Sequence, residues 1–501
     1  MQRLILTALL TLLSLPAVAA TYKVTNTGDN GEGTLRDAME AANDHTGADT
    51  IVFDIPGNGV HTIAPTSFLP QITDALIIDG YTQPGAQPNT NLSMQGGLNG
   101  TLLIELSGAN LNYNSRGLYL RNGDTTIRGL VMNGFYWAIS VGDWVGAPGA
   151  FNTTIEGCYL GTDPTGTTAV GSNQYRGIDD GVQVQKYLVV GGATAAARNL
   201  ISGFSGSYGI LANTEMGGPV IRGNLIGTNA SGTAAIPNFH GIGINQVVLD
   251  SVPPSGLIQD NLISGNSFGG LQITCLTPCI KGLVISGNVI GARYDRNSPL
   301  PNQGYGIRFS NNNASETSIL IGGETEDSQN FIAWNSTYGV TISNTSNGTF
   351  EIARNLIFNN TAMDIDLPNP EHGRNYNDSD DFDEFANRMQ NFPVIVSAAR
   401  SGDQLTVRYK VPTATSHATY PLTIRFYRGA TSGGDRWLAN DSYDAVDAQM
   451  EKQTVLTIPS GIALPALIAT AADAVGNTSE FSDRYVMPVT DLIFANGFEQ
   501  P

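Results

Sequence analysis

Gly209-Ile-Leu-Ala212, Gly241-Ile-Gly-Ile244, Gly270-Leu-Gln-Ile273, Gly306-Ile-Arg-Phe309 and Gly339-Val-Thr-Ile342 repeat one tetrapeptide at steps of 32, 29, 36 and 33 residues. Gly117-Leu-Tyr-Leu120 and Gly181-Val-Gln-Val184 carry the same pattern upstream. A second marker, Asn before two apolar residues, recurs at Asn199, Asn224, Asn261, Asn288, Asn330 and Asn355. A third, Val189-Val-Gly-Gly192, returns as Leu320-Ile-Gly-Gly323. Each period holds short apolar runs between Gly and Asn bends, with no room for helices. Strands so short cannot bury an apolar face alone, but coils stacked on one another can. The repeat predicts a solenoid of parallel strands. Asn at a fixed bend suits a left-handed backbone residue, and stacked Asn side chains can hydrogen-bond coil to coil. The uneven step has a source in the turn-rich insertions Gly161–Gly166 and Gly227–Gly232, which would loop out of a coil.

Composition agrees. Among 501 residues only 14% are charged, while 58 are Gly and 24 Pro. That mix favours strands and tight turns over long surface helices. The net charge of −19 lacks the basic footprint of a nucleic-acid binder and disfavours anionic membrane surfaces. At the N-terminus Arg3, the apolar run Leu4–Leu15 and Ala17-Val-Ala-Ala20 have the layout of a secretory signal peptide over residues 1–20, too short for a membrane span. The expected location is outside the cell or on its surface, as a monomer. Cys275 and Cys279 lie four apart and favour a small disulfide-closed loop; Cys158 is left over as a small buried hydrophobe.

The stretch from Val24-Thr-Asn-Thr27 through Gly33-Thr-Leu-Arg-Asp37, Ala42-Asn43 and Asp49-Thr-Ile-Val-Phe53 resembles the N-terminal cap of bacterial secreted right-handed parallel β-helix proteins. Arg198-Asn-Leu-Ile-Ser-Gly203, and the segments opening at Leu160 and Asn224, are similar to that family's repeat. The resemblance covers roughly residues 22 to 370 and implies a pectin-lyase-like β-helix. It is silent on activity, because such helices host lyases, glycosidases and adhesins. Thr34-Leu-Arg-Asp37 reads as a capping box opening a helix from Leu35 to Asn43 that seals the first coil. The predicted β-helix spans 21–367, and an acidic linker spans 368–388. From 389 to 488, alternating segments such as Leu405-Thr-Val-Arg-Tyr409 read as an antiparallel β-sandwich. Asn391-Phe-Pro-Val394 and Ala469–Phe481 are similar to the immunoglobulin-like domain that often follows such helices. The tail, 489–501, contains Ile493–Glu499, which resembles a terminal signature of some exported proteobacterial proteins.

Alternation along a strand turns the middle residue of each Gly-apolar-x-apolar unit outward. The resulting column is Tyr119, Gln183, Leu211, Gly243, Gln272, Arg308 and Thr341. Of these, Tyr119, Gln183, Gln272 and Arg308 are the expected contacts for an extended sugar chain. The acid–base candidates are Asp179 and Asp180, which resemble the adjacent pair of polygalacturonase-type β-helix enzymes, together with His240. Glycosidases need two carboxylates facing one bond, whereas consecutive strand residues point to opposite faces. Aligning the repeats places Asp180 in the slot of Tyr208, His240, Tyr305 and Tyr338, just before the Gly. A lyase would want a cationic cluster, and the chain has only five Lys. Asp378, Asp380, Asp381 and Asp383 offer the hard oxygens of a structural Ca²⁺ site, without the spacing of a twelve-residue calcium loop. Two function classes follow: a glycan-binding or adhesion module without a clear catalytic centre, and a polysaccharide hydrolase or lyase.

Overall fold

The computed structural model describes residues 18–93, 95–121, 123–142, 151–171, 174–180, 185–213, 218–246, 256–275, 281–311, 318–343, 348–367, 373–378 and 385–488. The chain is a right-handed parallel β-helix with an N-terminal helical cap, followed by an antiparallel β-sandwich. Among the described residues, sheet A has 11 strands from Thr21–Val24 to Thr349–Ala353, and sheet C has 9 from Arg116–Leu120 to Met363–Asp366. Sheet B starts at His61–Ile63 and reaches Leu356–Phe358 before continuing into the sandwich.

Each coil contributes one rung to each sheet, so like residues stack on like. In sheet A the column Ile127, Ile155, Val190, Ile221, Ile258, Ile285, Ile321 and Ile352 is in register and buried. In sheet C the matching column is Ile139, Ile178, Ile210, Ile242, Leu271, Ile307, Val340 and Ile365. These β-branched stacks form the interior and remove apolar area from water along the whole solenoid.

The bends carry a second continuous structure. Asn199 Nδ2 donates to Asn224 Oδ1 at 2.9 Å, and the same bond links Asn224, Asn261, Asn288, Asn330 and Asn355 at 2.8–3.0 Å. Each backbone N–H of the ladder from Asn199 to Asn330 also donates to the next Oδ1. The other Nδ2 hydrogen goes back to a carbonyl such as Ile155 O or Ile258 O. A second ladder runs Asn238, Asn266, Asn302, Asn335 and Asn360, ending on Asp364. One detail differs from the sequence expectation. The left-handed residue precedes four of the six Asn: Gly223 (φ 77°), Asp260 (57°), Gly287 (67°) and Arg354 (53°); before Asn199 and Asn330 a short 3-10 turn makes the bend instead, and Arg198 and Gln329 have φ of −66° and −65°. The Asn side chain must turn inward to reach its neighbours, so the reversal is made one residue earlier. The insertions do loop out, each closed by an antiparallel bridge: Thr162–Ala169, Thr228–Ala235 and Ala292–Pro299.

Both ends are closed. The helix Leu35–Asp44 buries Leu35, Ala38, Met39 and Ala42, and Thr34 Oγ1 accepts from Asp37 N–H at 3.2 Å. At the other end the sandwich touches all three sheets. Ile357 and Phe358 pair antiparallel with Gly434 and Gly433. Phe350 and Ile352 N–H groups donate to Asn387 and Thr478, and Leu367 N–H donates to Glu480. Buried Arg425 bonds Glu324 at 2.7 Å and Glu351 at 2.9 Å. The final coil is therefore not an exposed template for another chain.

Two outcomes follow. Asn288→Ala removes the acceptor for the Asn261 amide and backbone N–H groups and the donor to Asn330, leaving buried groups unpaired. It should cost about 3 kcal/mol in denaturant titration, against about 0.5 kcal/mol or less for exposed Thr233→Ala; equal costs would remove the ladder's role. Burial pushes the Glu480 carboxyl up to about 8, against the pull of Leu367 and Asn375 N–H donors. The folded state thus prefers the protonated acid, and this contribution is complete below pH ~4.5 and lost as pH rises through about 8. Glu480→Gln should flatten that part of the stability profile; an unchanged slope would contradict it.

Candidate functional site

The outer face of sheet C is built from three parallel columns. In the middle column, register places Tyr119, Ser140, Asp179, Leu211, Gly243, Gln272, Arg308 and Thr341 one above another, with Asp366 last. Immediately before the repeat Gly, or before Ala138 in one coil, stand Arg116, Trp137, Arg176, Tyr208, His240, Gly269, Tyr305 and Tyr338. One earlier still come Tyr136, Tyr175, Phe239 and Phe268.

Two missing side chains shape the centre. At Gly269 a Cβ would lie 2.4 Å from the Tyr305 ring, and at Gly243 one would lie 2.5 Å from the Tyr208 ring. Both tyrosines therefore lie flat across a neighbouring rung. Their hydroxyls converge on Gln272 Oε1, at 3.1 Å from Tyr305 and 3.2 Å from Tyr208. His240 stacks on Tyr208 with centroids 4.8 Å apart, and Phe239 and Phe268 meet its edges. Tyr305 Oη lies 3.2 Å from His240 Nδ1. Burial, with help from the Arg308 charge, lowers the His240 pKa to about 4, so the imidazole is neutral at pH 7. Phe239 and Phe268 stack at 5.2 Å and remain 39% and 41% exposed.

A second aromatic group lies toward the N-terminal end. Tyr136 stacks on Tyr175 at 4.8 Å, Tyr113 leans on Tyr136 at 4.4 Å, and Trp137 meets Tyr136 edge-on. Beside it Phe68, Leu69, Gln71, Asn114, Arg116, Tyr119 and Trp137 line a groove of about 370 Å³. At the opposite end a groove of about 400 Å³ is lined by Phe268, Tyr305, Arg308, Tyr338, Thr341 and Asp366 among others.

The sequence-derived residues fall in different places. Tyr119, Gln272 and Arg308 share the middle column, with Tyr119 nearly buried beneath Arg116. The coil that reads Gly181-Val-Gln-Val184 enters sheet C earlier than expected, as Arg176–Asp180, because Ile178 pairs with Ile139 and Ile210. Asp179 thereby takes the outward position assigned to Gln183. Asp180 takes the inward position of Val141 and Ala212, rather than that of His240. The two carboxyls point to opposite faces and do not converge on one site. Asp179 bonds Arg176 at 2.6 Å, and burial raises its pKa despite that partner. Asp180 is fully buried; Asn213 N–H donates to its Oδ2 at 3.3 Å, while its Oδ1 has no hydrogen-bond partner among the described residues. Desolvation holds its carboxyl protonated well above the usual carboxylate range. His240 lies two rungs beyond Asp179, in the neighbouring column.

Gln183, Asp380, Asp381, Asp383, Cys279, residues 1–17 and the tail 489–501 lie outside the described residues. Asp378 N–H donates to Asn391 Oδ1, and its carbonyl accepts from Asn391 Nδ2. Among the described residues no group of three His, Cys, Asp or Glu is placed to hold a metal. Cys158 is free and occupies the Asn slot one rung before the first ladder, its N–H donating to Asn199 Oδ1. Among the described residues no helix is long and apolar enough to cross a membrane. Tyr113, Tyr136, Trp137, Tyr175, Phe239 and Phe268 were not singled out in the sequence. Their signal was an aromatic one or two residues before the repeat position, as in Tyr136-Trp-Ala138, Tyr175-Arg-Gly177 and Phe239-His-Gly241.

No family model matches the chain, and no curated protein matches it. Among solved structures it is similar to the Dettilon tailspike protein (gp208), with TM-score 0.36 and 11% identity over 87% of this chain and 93% of that one. A likeness this distant carries no argument about the site, and the fold rests on the register of the three sheets.

The inward position of Asp180 yields a test. Asp180→Val, matching Val141 in the same column, should stabilise the protein at pH 7 by roughly 1–3 kcal/mol. The folded state favours the protonated acid, so the gain should grow as pH rises from about 4 and become independent of pH below it. Destabilisation at pH 7 would show that the Asn213 N–H bond to Oδ2 outweighs the desolvation of the acid.

Proposed function

We propose that the outer face of sheet C binds an extended, largely neutral glycan, and that it does so without chemistry. The observation that carries this reading is the pair of exposed aromatic stacks, Tyr113–Tyr136–Tyr175 and Phe239–Phe268, on one straight face. Sugar rings present an apolar C–H face and hydroxylated edges. Flat aromatic rings beside amide and phenol groups suit both at once. Nine strands at about 4.8 Å spacing give a strip of roughly 38 Å, long enough for several sugar residues.

The alternatives fit less well. Within sheet C the strand backbones are engaged in the parallel ladder, which leaves no open edge along this face for an added peptide strand. The charge of −19 opposes nucleic acid. Hydrolysis needs two carboxyls facing one bond, and Asp179 and Asp180 face apart. Binding outside the cell agrees with the signal-peptide reading of residues 1–20.

The test is affinity electrophoresis of the full chain in gels containing neutral and acidic polysaccharides, with product analysis alongside. Retardation without product release is expected, and Phe268→Ala should weaken it about tenfold, in the range of a central aromatic contact. Release of oligosaccharides, or retardation indifferent to Phe268→Ala, would overturn the reading.

A further inference from the structure

The N-terminal groove differs chemically from the rest of the face. Arg116 has its guanidinium carbon 4.2 Å from the Tyr119 ring centroid and 5.4 Å from that of Trp137. It makes no ion pair among the described residues, and its Nε is buried without a hydrogen-bond partner. Trp137 Nε1, in the same groove wall, is likewise buried and unpartnered. Two N–H donors left unsatisfied in one groove are costly unless an acceptor arrives. The nearest carboxylate along this face is Asp179, two rungs on, and it is committed to Arg176. It influences Arg116 only at a distance.

We infer that this groove is a subsite for a single carboxylate carried on an otherwise neutral glycan, with Arg116 and Trp137 as its donors. The inference rests on the glycan reading of the sheet C face and adds the class of substituent it recognises. A guanidinium lying over one aromatic ring and beside a second is partly desolvated, and its attraction to a carboxylate is then stronger than at an open surface. Gln71 and Asn114 supply further polar contacts at the groove wall. The chain's charge of −19 works against a densely charged polyuronate, whose remaining carboxylates would lie along a face with, among the described residues, no matching cations in the columns between Arg176 and Arg308. One acid at one end of a neutral chain meets both conditions.

A glycan array bearing neutral chains, chains with one carboxylated residue and polyuronates separates the possibilities. The wild-type full chain should retain the singly carboxylated chains best. Arg116→Gln should weaken those about tenfold or more, well beyond its effect on neutral chains. Trp137→Phe keeps the ring and removes only the donor, so it should weaken the same chains several-fold; it guards against a folding defect in Arg116→Gln. Retention of neutral chains alone, or indifference to both variants, would overturn this inference while leaving the glycan reading standing; strongest retention of polyuronates would overturn this inference and the largely neutral part of that reading. Retention of nothing on the array would overturn both.

Discussion

A solenoid of very short strands has one recurrent problem, which is the polar backbone at each bend. Every coil must turn sharply around an apolar interior, and each turn buries N–H and C=O groups away from water. The asparagine ladders solve this in one residue per bend. A primary amide offers two donors and an acceptor with two lone pairs, and in the ladder from Asn224 to Asn330 both sides are used. Because each amide bonds the next coil, the ladder fixes the stacking distance and register as well as satisfying the turn. The aliphatic columns supply the larger part of the burial, but they alone would tolerate slippage between similar residues.

The external face is a consequence of that register. Once coils cannot slide, residues at one repeat position stand about 4.8 Å apart in a line. A substitution at that position in two neighbouring coils then makes a stacked pair with no further design. Phe239 and Phe268 are such a pair, as are Tyr136 and Tyr175. Glycine at Gly243 and Gly269 acts the same way in reverse, opening a rung so that a tyrosine from a neighbouring coil can lie across it. The sandwich belongs to the same logic, since it covers the last rung of each sheet and lets the stack end without an open edge.

The repeat spacing alone carried the parallel solenoid, its inward and outward alternation and the insertions that loop away. It also carried the coil-to-coil amide bonding. Three things were less visible. Where the bend is left-handed, at Gly223, Asp260, Gly287 and Arg354, it falls one residue before the Asn, because local turn preference and the inward aim of the amide compete, and burial decides. The coil around residues 176–184 has two candidate starts, Gly181-Val-Gln-Val184, which keeps the Gly-apolar-x-apolar pattern, and Gly177-Ile-Asp-Asp180, which breaks it at Asp180; only pairing with both neighbours selects the second. That choice moves Asp180 from a candidate acid to a core position. The aromatic stacks escaped notice because they precede the motif rather than lie within it, and ring-on-ring contact between coils exists only after register is known.

The most direct measurement is a crystal structure of the full chain with an oligosaccharide that it retains. The account predicts sugar rings lying along the outer face of sheet C, at least one stacked against Phe239 or Phe268. Sugar bound instead on the sandwich, or on sheets A or B with the aromatic stacks bare, would contradict it.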